Sequence, residues 1–139
     1  MVPRIITAEL TDDAIRILRL AVSPKYPVVY MHHCTLAYKP HDDIVNAIEM
    51  TAKENDFVVV RCNTDYWKDG VQAVHIDVFT TDMSKKVFCV NKYPHITIST
   101  DGKPPKASND LLANIPNMPI DNRKSLNSLI LPARIVYAY

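Results

Sequence analysis

Two short stretches of the sequence, MHHCTLAYKP and YPHITIST, repeat one arrangement of residues that could do chemistry. Each contains a histidine, one spacer residue and a threonine inside an apolar run. Side chains two residues apart in a β-strand project from the same face. The first copy therefore presents an imidazole beside a hydroxyl from His33 and Thr35, and the second presents the same pair from His95 and Thr97. If the copies faced each other, they would surround one anion with an acid, a base and two hydroxyl donors.

This set of groups suits hydrolysis of a phosphodiester. An imidazole with a pKa of about 6.5 has both its neutral and its protonated form available near neutral pH. One histidine can deprotonate water while the other protonates the leaving oxygen, and threonine hydroxyls can bind the phosphate oxygens as charge develops. The sequence offers no evident carboxylate cluster for a metal ion. We therefore expect no metal and no cofactor.

The motifs HHCTLAY and PHITIST resemble those of the two-histidine (2H) phosphoesterase superfamily, the LigT-like and cyclic phosphodiesterase group. The resemblance implies a bilobal, pseudo-twofold α+β fold in which each lobe contributes one H-x-T strand to a central cleft. Antiparallel sheets would line that cleft, with helices outside. It also implies that His33 and His95 are catalytic, that Thr35 and Thr97 bind phosphate, and that a 2′,3′-cyclic phosphate opens to a 2′-phosphate. Which histidine is base and which is acid stays open.

Length and composition bound the protein class. The chain of 139 residues is interpreted as one domain over residues 1–139, because its length suffices to bury one core. A formal net charge of +1 gives no general attraction to long duplex nucleic acid, but suits a nucleotide, a cyclic oligonucleotide or an RNA end as substrate. Only two glycines occur, which excludes a glycine-rich phosphate-binding loop.

The cysteines and apolar runs predict where the protein works. Its three cysteines are scattered without C-x-x-C spacing, which is typical of reduced thiols in an intracellular protein. The first residues lack the pattern of a signal peptide, and no apolar run approaches the length of a membrane span. We expect a cytoplasmic monomer with no membrane contact and no obligate protein partner.

Hydrophobic periodicity predicts an α+β fold with largely antiparallel pairing. The predicted helices cover residues 12–22, 40–55 and part of 101–115. The predicted strands cover residues 2–10, 28–38, 56–67, 71–80, 86–90, 95–100 and 126–139, with the last interrupted near Pro132.

Further side chains near the motifs are candidates for substrate contacts. Tyr93, Tyr38 and Trp67 are candidates for base stacking, with Tyr93 preferred because it lies two residues before His95. Lys103 and Lys106 are candidates for steering an anion. His32 is expected to point away from the motif face. His75 is expected to be a strand histidine with a local partner.

Three other functions compete with cyclic phosphate hydrolysis at RNA or nucleotide ends. The same strands could serve a viral or phage-type phosphodiesterase that degrades cyclic or 2′-5′-linked signalling oligonucleotides to evade host immunity. A non-catalytic RNA-end or nucleotide-binding module would have no need for two titrating groups. Metal-dependent hydrolysis through the histidines has poor geometry, because adjacent strand residues diverge.

Overall fold

The computed structural model describes residues 2–52 and 56–139. Its strands are β1 (Ile5–Leu10), β2 (Val28–Val29), β3 (His33–Tyr38), β4 (Phe57–Lys68), β5 (Val71–Thr80), β6 (His95–Thr100) and β7 (Arg123–Ala138). Its helices are α1 (Asp12–Ala21), α2 (Asp42–Ala52) and α3 (Ala107–Ala113), followed by 3-10 turns at Ile115–Asn117 and Ile120–Asn122. Residues 53–55 of the predicted second helix lie outside the described residues.

Within the described residues, the seven strands form one sheet in the order β2-β6-β5-β4-β7-β1-β3, and each of their pairings is antiparallel. The predicted antiparallel α+β fold is therefore confirmed. The two-lobed, pseudo-twofold arrangement that the resemblance implies stays a prediction.

The sheet curls so that its distant strands meet. β3 is one edge of the sheet and β6 is next to the opposite edge, yet the two strands contact each other. The Met31 amide donates to the Thr97 carbonyl at 3.0 Å, and the Val90 amide donates to the Leu36 carbonyl at 2.9 Å. The twist of antiparallel strands accumulates across a wide sheet and produces such curvature. The curl brings the two H-x-T strands together.

The helices pack their apolar faces on the protein core, and α1 also has a side-chain cap. The Thr11 hydroxyl accepts a hydrogen bond from the Ala14 amide at 3.2 Å and caps α1. α1 buries Ala14 and Leu18, and α2 buries Ile48 and Ala52, against the core of the sheet. A smaller apolar cluster lies under α3 and includes Leu111 and Leu112.

The structure corrects three predicted strands. The strand expected over residues 28–38 is divided into β2 and β3, because Met31 has a φ of 65°. Residues 86–90 do not form a strand: the segment makes one isolated bridge, between Lys86 and Phe79, before its path turns from β5 to β3. β7 continues through Pro132, and its irregularity lies instead at Asn127 and Ser128, both with positive φ.

Candidate active site

The two H-x-T copies line one cavity. In β3, Cys34 and Leu36 are fully buried in the core, so the alternating residues His33 and Thr35 face the other way. In β6, Ile96 and Ile98 are likewise buried, and His95 and Thr97 face the cavity. All four motif side chains line a cavity of about 590 Å³. The structure therefore brings together the four residues that the sequence singled out.

The His95 ring is fixed by a backbone carbonyl. Its Nδ1 lies 2.9 Å from the carbonyl oxygen of Tyr93, which can only accept, so Nδ1 carries the hydrogen. Nε2 is then the ring nitrogen left to exchange a proton with a ligand. Burial lowers the pKa of His95; the Tyr93 carbonyl partly opposes this by raising it, and the nearby His75 lowers it further.

His33 has a different electrostatic environment. It remains accessible to solvent within the cavity, yet the surrounding protein partly desolvates its ring and lowers its pKa. The Glu9 carboxylate opposes that shift and raises the pKa, while His32 lowers it. Glu9 lies opposite His33 because β1 pairs with β3, and it accepts a hydrogen bond of 3.0 Å from the Thr7 hydroxyl. The negatively charged Glu9 carboxylate is therefore a neighbour of His33.

The two threonine hydroxyls are held differently. The Thr97 hydroxyl lies 2.8 Å from the hydroxyl of Ser108, a fully buried residue of α3, and 3.4 Å from the Pro105 carbonyl. The Thr35 side chain makes no hydrogen bond within residues 2–52 and 56–139. Thr35 is thus free to turn its hydroxyl toward a ligand, whereas Thr97 is positioned by its protein partners.

The other predicted contacts are placed unevenly. Tyr38, which is 65% exposed, lines the cavity, and so does Lys106. The Tyr93 ring lies in a second, neighbouring cavity. Trp67 lines neither cavity and instead packs under Lys25, whose Nζ is 4.2 Å from the ring centroid. Lys103 also lies outside both cavities and donates to the Asp69 carbonyl.

The expectation that His32 points away from the site is wrong. His32 lines the same cavity as His33, because the positive φ of Met31 ends the strand alternation just before β3 begins. Tyr30, Asn91 and Asn109 also line the cavity without having been identified from the sequence. Asn91 and Asn109 lie outside the predicted motif strands, whereas Tyr30 lies within the strand predicted over residues 28–38, at the point where the structure ends β2.

The described residues were also compared with the requirements for a metal site and for a membrane-spanning helix. In this part of the chain, no group of three or more histidine, cysteine, aspartate or glutamate side chains is placed to hold a metal ion. None of the helices over the described ranges is both long and apolar enough to cross a membrane.

Comparisons with known proteins place this geometry in a family. Residues 29–137 match the model of the fungal tRNA ligase phosphodiesterase domain. A crystal structure of a fungal RNA kinase aligns over 100% of this chain with a TM-score of 0.65 and 14% sequence identity. This chain covers 46% of that protein, so the likeness concerns one part of it. A search of curated proteins gives no significant match. The chain belongs to the fungal tRNA ligase phosphodiesterase domain family, a cyclic phosphodiesterase branch of the two-histidine phosphoesterases.

Proposed function

We propose that the protein hydrolyses 2′,3′-cyclic phosphate ends of RNA or nucleotides to 2′-phosphates, with His33 and His95 as acid–base catalysts. The observation that carries the proposal is the single cavity of about 590 Å³ lined by both histidines and both threonines. A cavity of this size accommodates a terminal nucleotide. Membership in a phosphodiesterase domain family supports the reaction type.

The surroundings of the two histidines support different roles. Burial and the neighbouring His75 lower the pKa of His95 and favour a neutral ring, and the hydrogen bond from Nδ1 to the Tyr93 carbonyl leaves Nε2 to accept a proton. Burial lowers the pKa of His33 as well, but the Glu9 carboxylate beside it raises that pKa and favours the protonated form. We assign His95 as the general base and His33 as the general acid.

With these roles, the two histidines carry out both proton transfers of the reaction. His95 Nε2 takes a proton from water, and the water oxygen attacks phosphorus in line with the P–O3′ bond. As that bond breaks, His33 gives its proton to O3′, leaving a 3′-hydroxyl and a phosphate on O2′. Proton exchange with solvent returns His95 to the neutral form and His33 to the protonated form.

The hydroxyl groups and one lysine stabilise the phosphate. Thr35 and Thr97 lie one on each H-x-T strand, where their hydroxyls can donate to non-bridging oxygens as negative charge develops. Among the described residues that line the cavity, Lys106 is the only lysine, arginine, aspartate or glutamate. Its ammonium group attracts the anionic substrate to the cavity mouth.

The direct test is hydrolysis of a nucleoside 2′,3′-cyclic phosphate in the presence of a chelator, with the product isomer identified by phosphorus NMR. We expect a 2′-phosphate, and a loss of about 10²- to 10⁴-fold in kcat for His33→Ala and for His95→Ala. His41→Ala is the matched control, because His41 is exposed and lines neither cavity. Activity that survives in both motif variants, or that requires an added metal ion, contradicts the mechanism.

A substrate panel separates this function from the alternatives. The panel adds 2′-5′ oligoadenylate and cyclic di- and trinucleotides. Faster cleavage of these than of RNA cyclic phosphate ends would indicate a phosphodiesterase of signalling oligonucleotides. Tight binding of every ligand without turnover would indicate a binding module.

A further inference from the structure

A second cavity of about 600 Å³ adjoins the first. Asn91 lines both, so the two spaces meet at this residue. The pairing of β5 with β6 places His75 of the second cavity directly opposite His95 of the first. Paired residues of antiparallel strands have Cα atoms about 5 Å apart. The second cavity is therefore next to the candidate general base.

Cations outnumber anions around the second cavity. Its Asp77 carboxylate is already bound by Arg61 at 2.8 Å and by Lys86 at 3.2 Å. Lys92 adds a further positive charge, and its Nζ lies 5.4 Å from the centroid of the Tyr93 ring. Because Asp77 is satisfied by its two cationic partners, the charge of exposed Lys92 remains available to an anionic ligand.

Aromatic rings line the same space. The Tyr93 and His75 rings meet edge to face, with centroids 6.0 Å apart. Phe88, also a lining residue, leaves 37% of its surface exposed, although an aromatic ring is normally buried in a protein of this size. An exposed ring and a cation that line the same cavity are the combination that binds single-stranded nucleic acid, with the base on the ring and the phosphate on the cation.

We infer that the second cavity binds the nucleotide that precedes the cyclic phosphate end, so that the substrate is an RNA strand and not a mononucleotide. The terminal nucleotide occupies the first cavity, and the chain passes Asn91 into the second. The base of the preceding nucleotide stacks on Phe88, and its phosphate lies against Lys92. This inference rests on the proposed function, because that function sets which end of the RNA the first cavity holds.

The test compares two substrates that share one reacting end, a nucleoside 2′,3′-cyclic phosphate and a trinucleotide ending in the same group. The wild-type protein should show a higher kcat/KM for the trinucleotide. Phe88→Ala should lower kcat/KM for the trinucleotide by about fivefold or more. Lys92→Ala should reduce the salt dependence of trinucleotide kcat/KM by about 0.7 in log–log slope. Both variants should hydrolyse the mononucleotide within twofold of the wild-type rate.

Lys68→Ala is the matched control, since it removes an equal charge from an exposed residue that lines neither cavity. If Phe88→Ala and Lys92→Ala lowered kcat/KM equally for both substrates, these residues would only support the position of His95, and the inference would be overturned. Equal kcat/KM for both substrates in the wild type would also overturn it. If neither substrate is hydrolysed, the proposed function fails separately. Binding of a labelled trinucleotide with a 2′-phosphate then decides the inference, which requires weaker binding by both cavity variants and unchanged binding by Lys68→Ala.

Discussion

The Nδ1–H of His95 donates a 2.9 Å hydrogen bond to the backbone carbonyl of Tyr93, two residues earlier in the chain. The bond fixes the tautomer of the ring and leaves Nε2 as the nitrogen that can accept a proton. His33 instead lies opposite the carboxylate of Glu9. The two histidines of the repeated motif therefore occupy unequal environments, and this inequality supports their assignment to opposite proton-transfer roles.

The first prediction concerns the pH profile of kcat/KM. One histidine must be neutral and the other protonated, and burial lowers the pKa of both, so the bell-shaped profile should centre on the acidic side of pH 6.5. Glu9 raises the pKa of His33, so Glu9→Gln should move the alkaline limb to lower pH. Glu49→Gln, which changes an exposed carboxylate of α2, serves as the control. A shift of the acidic limb alone would mean that His33 must be deprotonated for activity, and would contradict its assignment as the general acid.

The second prediction separates the two threonines. Thr35→Val and Thr97→Val each remove one hydroxyl donor, and each should lower kcat by about 10- to 10³-fold. Only Thr97→Val also strands the buried Ser108 hydroxyl, at a cost of about 1–3 kcal/mol in unfolding free energy. Urea unfolding should therefore show a loss for Thr97→Val and little change for Thr35→Val. Equal stability losses would contradict the different bonding of the two hydroxyls.

The third prediction tests whether the histidines act as a unit. After one proton-transfer group is lost, the other has little left to contribute to the concerted step. The double variant with His33→Ala and His95→Ala should then be only slightly less active than either single variant. The measurement is single-turnover hydrolysis of a cyclic phosphate by all three variants. Losses that multiply would indicate two independent contributions.

The sequence predicted most of what strand alternation and helical periodicity control. The faces of β3 and β6 followed from the apolar residues between each histidine and threonine, and the apolar stripe of α2 followed from its spacing. The error at His32 arose from one residue, because the positive φ of Met31 interrupts an alternation that looked continuous. Side chains brought to the cavity by tertiary contacts, such as Asn91 and Asn109, follow no local pattern. The curl that brings β3 to β6 depends on the whole sheet, so the sequence raised the meeting of the two motifs only as a question.

The last prediction concerns a carboxylate remote from the cavity. Asp65 is 3% exposed, and burial raises its pKa to about 6, while hydrogen bonds from Gln72 and the charges of Lys25 and Lys124 act in the opposite direction. Its folded pKa is above the unfolded value of about 3.9, so the folded protein binds the additional proton between these pH values. The unfolding free energy should therefore fall as pH rises from about 4 to about 6.

Asp65→Asn removes that titration and keeps an amide oxygen that can accept the hydrogen bond from Gln72. Relative to the wild type, the variant should gain on the order of 2 kcal/mol in unfolding free energy between pH 4 and pH 6. The measurement is urea unfolding at several pH values, with the exposed Asp121→Asn as control. A stability difference between variant and wild type that stays constant over this range would mean that Asp65 titrates at its ordinary pKa. Because Gln72 also accepts hydrogen bonds from the Ser99 hydroxyl at 2.6 Å and the Lys25 amide at 2.8 Å, the change would act on the bonds that tie β6 to the segment before β2.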